Sequence, residues 1–316
     1  LLIWAGIPIV SAIPIFPGNF TAHFIDVGEG DAIFLITPTN NTILIDSGRN
    51  ATMGTKVSQY IQESGLNIDL IIATHSDADH IRGMESVLSI FTPQSFIDSP
   101  YPAWTATYQN MRNTINQSEI PYMTVQAGSS VPSYQGLNIS ILNPQAMAFG
   151  DTNDNSIVLM LQYGSVGFLF TGDAEQAAEN QMINNGSELH AQILKVSEHG
   201  SSSASSPNFL ERVDPEVAVI EVGAGNQYHH PTNETLENLA AAGARIYRTD
   251  LNGTVVITTD GAAYTVYTES GSPQIITATA GPGGTIVPNG LVEVNYGATP
   301  IFNITPNSIG TGSPSV

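Results

Sequence analysis

The run Thr74-His75-Ser76-Asp77-Ala78-Asp79-His80 constrains this chain more than any other feature of it. Two imidazoles and two carboxylates fall within six residues, directly after an Ile-rich stretch at 68–74 and before a helical stretch at 83–90. Packed together without a cation, such groups would leave repelling carboxylates and desolvated imidazoles. A strand end that turns into a helix can point His75 and Asp77 one way and Asp79 and His80 another, which makes two adjacent metal positions. The chain has no cysteine, so any metal must be held by imidazole and carboxylate, and a disulfide framework is excluded.

Around that run, short apolar stretches alternate with helical windows. Residues 20–27, 32–37 and 42–46 read as a β-meander, 53–64 as a helix and 68–74 as a buried strand. After a strand at 138–142, strands at 156–163, 166–171, 192–197 and 216–222 alternate with helices at 174–184, 207–213 and 232–242. Strands at 245–249, 254–259 and 263–268 complete the pattern. Two β-rich halves with helices outside predict an α/β (α+β) fold in four αββα layers, each sheet burying one face on the other sheet and one on helices. Function is then expected where strand ends meet. With 41% hydrophobic against 11% charged residues, 316 residues suffice for such a core. The 8 Lys and Arg against 28 Asp and Glu leave a net charge of −20, which argues against a general nucleic-acid coat. No apolar run reaches the roughly 18 to 20 residues that span a bilayer.

The His-x-Asp-x-Asp-His run has companions. In chain order they are His23-Phe-Ile-Asp-Val-Gly-Glu-Gly-Asp31, Ile43-Leu-Ile-Asp-Ser-Gly48, Asn153-Asp-Asn-Ser156, Phe170-Thr-Gly-Asp173-Ala-Glu175, Leu194-Lys-Val-Ser-Glu-His-Gly-Ser201, Asn226-Gln-Tyr-His-His-Pro231 and Tyr247-Arg-Thr-Asp250. With these, residues 22–268 resemble the metallo-β-lactamase fold family, and within it the hydrolase domain attached to the competence proteins that handle DNA uptake. The resemblance implies the αββα sandwich, dependence on one or two divalent ions, and hydrolysis. It implies that His75, Asp79 and His80 ligate metal, with Asp77 standing where the wider family usually has His and the competence subgroup commonly has this Asp. It makes Asp173 the carboxylate shared by two ions, lets His199 close the second position, and has Asp46 orient the metal loop from behind. Two departures stand out: the family's Gly-His-His-Gly element is Ser-Glu198-His199-Gly here, and Asn155 lies near the place where many relatives supply another His. The first metal position is poorer in imidazole, which shifts preference toward manganese without excluding zinc.

The expected chemistry follows from the ligands. A cation held by imidazole and carboxylate lowers the pKa of its water from about 15.7 toward 7. Asp79 or Asp77 would hold that water in line, and Lys195, His229 or His230 would neutralise the developing oxyanion or protonate the leaving group. Asp26 and Asp31 flank Gly28-Glu29-Gly30, which reads as a tight hairpin with Asp31 aimed at the metal rim. Ser201 and Ser202 open a Ser-rich loop before Pro207, where hydroxyls and free N–H groups would receive a phosphate or simply form a polar turn. His229-His230-Pro231 is equally open between substrate contact and the turn before a helix that Thr232 can cap.

The ends of the chain have a different texture. Residues 1–17 read as the apolar middle and small-residue end of an export signal. Nine Asn-x-Ser/Thr acceptors, beginning at Asn19, Asn40, Asn50, Asn116, Asn138, Asn185, Asn233, Asn252 and Asn303, suggest a glycosylated surface protein. Gly and Pro punctuate 270–316 into a small all-β unit that resembles modules repeated on microbial surface proteins and would supply surface or matrix contacts. The expected organisation is thus 1–17, a hydrolase domain at 18–269 and a β-rich unit at 270–316, placed outside the cell or on its surface. Three functions remain open on this reading: an exported phosphodiesterase or nuclease with DNA among its substrates, a lactone or ester hydrolase on the same scaffold, and a non-catalytic binding module that keeps a metal for stability.

Overall fold

The computed structural model describes residues 15–147, 149–270, 274–280, 284–288, 290–294 and 302–307. Residues 1–14, which hold most of the expected export segment, lie outside the described residues. Strands β1 (Phe20–Phe24), β2 (Ile33–Ile36) and β3 (Thr42–Ile45) form the antiparallel meander. Helix α1 (Ala51–Glu63) starts at Asn50, whose side chain accepts the Met53 N–H, and β4 (Leu70–Ala73) then pairs parallel to β3. Two short helices follow, α2 (Ala78–Ile81) and α3 (Met84–Leu88), so the ligand run is half loop and half helix.

The stretch after α3 carries β5 (Ser95–Asp98), α4 (Ala106–Gln117) and β6 (Tyr122–Thr124), none of which the sequence pattern had assigned. The reason is visible in α4, which buries only Tyr108, Met111 and Ile115 in an otherwise polar helix and so shows a thin apolar stripe. The second half contains β7 (Leu137–Asn143), β8 (Val158–Tyr163), β9 (Val166–Phe170), α5 (Gln176–Asn184), β10 (Ile193–Lys195), α6 (Pro207–Val213) and β11 (Val217–Ile220). It continues through α7 (Asn233–Ala241), β12 (Arg245–Arg248), α8 (Thr249–Asn252), β13 (Val255–Thr259) and β14 (Tyr264–Thr268).

The strands make an eight-stranded sheet, ordered β14-β13-β1-β2-β3-β4-β5-β6, and a six-stranded sheet, ordered β12-β11-β10-β9-β8-β7. Three clusters of buried side chains separate the layers. The central one joins the two sheets through residues such as Phe24, Ile33, Leu35, Phe168, Phe170 and Val219. The second fills the space between the first sheet and α1, α3 and α4, and the third lies between the second sheet and α5, α6 and α7. Strand β2 shows why its sequence is continuously apolar: Ile33 and Leu35 face the other sheet while Phe34 and Ile36 face helices. Each such side chain contributes about 1.5–3 kcal/mol before conformational entropy is set against it.

At the C-terminus, β15 (Gln274–Ala278) pairs with β17 (Gly290–Val294) and β16 (Gly284–Val287) with β18 (Asn303–Pro306), both antiparallel. Among the described residues no helix is long and apolar enough to cross a membrane. Of the sequons, Asn252 is buried and its side chain accepts the Arg248 N–H, so folding leaves it no room for a glycan.

Candidate metal centre

Both sheets deliver side chains to one place, beyond the carboxyl ends of their parallel strands. Asp46 follows β3, His75 follows β4 and His80 sits in α2; Asp173 follows β9, Lys195 ends β10, His199 lies in the turn after it and Glu221 follows β11. Asp31 enters from the β1–β2 connection. Gly30 beside it packs against the metal loop so closely that a Cβ would overlap the Asp79 carbonyl oxygen, and its φ of +111° is one that side chains rarely adopt.

Hydrogen bonds set the direction of every imidazole. Asp46 Oδ1 accepts the Thr74 N–H at 2.9 Å and Asp46 Oδ2 accepts the Thr74 hydroxyl at 2.6 Å. That hydroxyl proton is therefore spent, and His75 Nδ1, 3.1 Å away, must be the donor to Thr74 Oγ1. Asp46 Oδ2 also lies 2.8 Å from His80 Nδ1, and the Glu221 backbone carbonyl lies 2.9 Å from His199 Nδ1. All three rings carry Nδ1–H, and all three turn Nε2 toward Asp173 Oδ2, at 3.8 Å for His75, 2.9 Å for His80 and 3.4 Å for His199. Asp79 Oδ2 joins them 3.6 Å from His199 Nε2.

Ring nitrogens aimed at a carboxylate need a positive charge between them. His75 Nε2, His199 Nε2, Asp173 Oδ1 and Asp31 Oδ1 are buried without a hydrogen-bond partner. Ligand atoms within 4.8 Å of one another occur in the groups His75–His80–Asp173, Asp79–His80–His199, Asp31–Asp173–His199 and Asp31–Asp46–His80. The donor set of imidazole and carboxylate, the orphaned atoms and the fixed tautomers together fit a divalent ion.

The electrostatics agree. Burial opposes charge on His80 and His199, yet Asp173 and its acidic neighbours outweigh it and hold both well above the ordinary imidazole value. His75 is instead held down by burial and by the charge on His80. Burial would raise Asp173 and Asp79, but the facing histidines pull both below the usual carboxylate range. The pocket demands cations, which protons supply when a metal does not.

Several expected residues fall elsewhere than their assigned roles. Lys195 is fully buried, donates to the Gly172 carbonyl at 3.0 Å and is paired with Asp31. Burial opposes its charge, but Asp31 and Asp173 raise its pKa above the ordinary lysine value, so Lys195 neither reaches a substrate nor gives up a proton near neutrality. It neutralises carboxylates from behind. Asp77 begins α2, near enough to His75 for its charge to act there, yet belongs to none of the four ligand groups. Asn155 also lies outside them: its side chain is occupied by Phe149 and Asp151 backbone and secures that loop.

In the Ser-rich loop most backbone donors are taken up within the fold. Ser203 N–H goes to Ser201 Oγ, and Ser205 and Ser206 N–H go to the buried Glu179 carboxylate, while Ser202 is merely exposed. Glu198 is half-buried beside Asp173, accepts from Asn153 Nδ2 at 2.8 Å, and is pushed up to about 9 by burial and by the Asp173 charge. Glu198 and His199 both have left-handed backbone, with φ of 48° and 50°, a strain of about 1–3 kcal/mol each that the surrounding structure must hold. His229 is exposed; His230 is half-buried, with an unpartnered Nδ1 and a pKa lowered by burial and by the charge of His199.

Three participants had gone unnoticed in the sequence: Thr74 as a relay, Glu221 behind His199, and Glu29, whose carboxylate accepts the Gly223 N–H at 2.8 Å. Glu221 holds His199 through its backbone carbonyl, a role no side chain announces, while its carboxylate accepts the Ala32 N–H.

Residues 27–237, which include every member of the centre from Asp31 to Glu221, match the metallo-beta-lactamase superfamily. The chain belongs to that superfamily. It is 28% identical over 265 residues to ComE operon protein 3 of Bacillus subtilis (strain 168), covering 77% of this chain and 33% of that protein. It is 30% identical over 230 residues to Competence protein ComA of Neisseria gonorrhoeae, covering 72% of this chain and 30% of that one. The chain thus aligns with about a third of the length of these superfamily relatives. In fold it is similar to the metallo-beta-lactamase fold protein YhfI from Bacillus subtilis, with a TM-score of 0.53 at 12% identity over 76% of this chain and 100% of that one.

Proposed function

We propose that this superfamily member is an exported, metal-dependent hydrolase of phosphodiesters, with nucleic acid as its substrate class. The observation that carries the reading is the convergence of three Nε2 atoms on one buried carboxylate, Asp173, with His75 Nε2, His199 Nε2 and Asp173 Oδ1 left without a hydrogen-bond partner. His75, Asp79, His80, Asp173 and His199 would hold one or two zinc or manganese ions. When bound, the metal supplies a Lewis acid and a water of lowered pKa. Asp46 and Thr74 keep the imidazoles turned inward, and Lys195 with Asp31 sets the charge behind Asp173. His230, half-buried with its pKa lowered by burial and by the charge of His199, would carry the proton to the leaving group. The relative named a competence protein directs the reading toward nucleic acid, and the apolar N-terminal segment toward export.

The test is hydrolysis of bis(p-nitrophenyl) phosphate and of labelled single- and double-stranded DNA across a manganese, zinc and magnesium series. Turnover that disappears in Asp79→Ala and Asp173→Ala supports the reading, and undiminished turnover in Asp173→Ala rejects it. Turnover of lactones, lactams or other esters alone selects an ester hydrolase. Bound metal with no turnover on any panel selects a non-catalytic binding module.

A further inference from the structure

Beside the metal centre lies a cleft of about 930 Å³, reached through Asp79 and Glu29. One wall carries Arg49, Lys56 and Arg82; the other is the 223–228 loop, ending in Tyr228. Three of the eight basic residues of a chain with net charge −20 therefore gather at one opening. Of the five cations elsewhere, Lys195 is engaged by Asp31, Arg248 by Asp250, Arg112 over the Tyr122 ring and Arg245 over the Tyr247 ring, and Arg212 is exposed at the end of α6. Lys56 is itself held by Asp26 at 3.4 Å. Arg49 and Arg82 are exposed, and among the described residues neither has a carboxylate within 4 Å.

Their placement belongs to the scaffold of the centre. The Gly83 N–H donates to the Gly48 carbonyl at 3.0 Å and the Gly48 N–H to the Asp31 carbonyl at 2.9 Å, which ties the backbone beside Arg49 to the backbone beside Arg82 and both to the centre. Across the cleft Tyr228 is 56% exposed and stacked on His230, with ring centroids 5.7 Å apart. Guanidinium groups with no carboxylate in direct contact favour phosphate, even where, as at Arg49, a more distant Glu29 shares the cleft, and the open face of an exposed ring accepts any base face.

We propose that Arg49 and Arg82 form a subsite for the backbone phosphates flanking the scissile bond and that Tyr228 stacks an adjacent base, so that the substrate is a single-stranded polynucleotide rather than a small diester. This deepens the phosphodiesterase reading and rests on it. The same cleft lining holds Asp26, Glu29, Asp79 and Asp250. Lys56 pairs with Asp26 and Arg248 with Asp250, which leaves Arg49 and Arg82 as the cations at the rim beside Glu29 and the metal-facing Asp79. The acidic exterior repels non-specific polyanion coating.

The test measures binding apart from turnover. Fluorescence anisotropy of a labelled 20-residue oligothymidylate, and of an abasic strand of the same length, is recorded in EDTA and in manganese over a salt series. The Arg49→Gln/Arg82→Gln double variant is expected to raise Kd for both strands at least about tenfold and to flatten the log–log salt slope by about 1.4, or about 0.7 per phosphate contact. Tyr228→Ser is expected to weaken only the base-bearing strand. In turnover, the double variant should lose at least about tenfold more kcat/KM on the oligonucleotide than on bis(p-nitrophenyl) phosphate. Binding that depends on the arginines without any phosphodiester turnover upholds the subsite and fells the phosphodiesterase reading. A wild type that does not bind the oligonucleotide, or a double variant with unchanged Kd and slope, overturns the proposal.

Discussion

Replacing Asp46 by Asn isolates the relay that turns the imidazoles inward. Asn tolerates the left-handed backbone at this position, where φ is 57°, so the change adds little strain. One amide oxygen can still accept the Thr74 N–H. The amide NH2, however, now faces the Thr74 hydroxyl and His80 Nδ1, which were 2.6 and 2.8 Å from a carboxylate oxygen. Two charge-assisted bonds at the low end of about 1.5 kcal/mol each amount to a stability loss of about 3 kcal/mol. The metal feels the same change through freed ring orientation, for which loss of a supporting carboxylate typically costs 10–100-fold in affinity, or about 1.4–2.7 kcal/mol. An opposing effect must be separated. Asp46 also raises the proton affinity of His80, so its removal weakens competition by protons. That gain shrinks as pH rises, so zinc affinity from chelator competition at pH 6 to 9 should show the largest deficit at the alkaline end. Thr74→Val should reproduce part of the loss through His75 alone. A zinc affinity for Asp46→Asn equal to wild type at pH 9, in protein that denaturant unfolding shows to be folded, would refute the relay.

Asp98 supplies a pH test away from the metal. Burial raises its carboxyl from 3.8 to about 6, against the opposing hydrogen bonds from Tyr122 and Tyr108. The folded state thus binds this proton more tightly than the unfolded one, so the Asp98 contribution is present below about pH 4 and is lost as pH rises through about 6, by about 3 kcal/mol. Urea unfolding of Asp98→Asn should gain on wild type by that amount between pH 4 and 7; a constant difference would show that the carboxyl is not perturbed. Gly30→Ala should destabilise the chain by about 2–4 kcal/mol and weaken metal binding, because the new Cβ must displace the Asp79 carbonyl; an unchanged melting temperature and zinc affinity would contradict that packing. Zinc held at 100 times its Kd should raise the unfolding free energy by about 2.7 kcal/mol over EDTA, and His199→Ala should shrink that gain at the same zinc concentration. Equal melting with and without zinc would speak against a native metal site.

The α4 region shows where local pattern runs out. Its helix shields one end of the first sheet with three buried residues, too few to stand out from a polar sequence. Strand β13 was legible as a strand, but one of its two antiparallel partners is β1, with Phe20 opposite Thr259, and nothing local announces a pairing across most of the chain. The centre behaves in the same way. His75, Asp79 and His80 stood out because they are neighbours in sequence, whereas Thr74 and Glu221 act through hydrogen bonds that exist only after the sheets have packed.

By itself the sequence determined most of the strands, though not β5 or β6, together with the two β-rich halves and the concentration of imidazole and carboxylate at 75–80, because apolar periodicity and side-chain chemistry are local properties of the chain. The tertiary structure decided that Asp173, His199 and Asp31 meet those ligands, that Lys195 is sealed behind them, and that Arg49 and Arg82 open on the cleft. Those outcomes depend on sheet order and register, which place the ends of distant strands side by side and choose which face of each residue sees water.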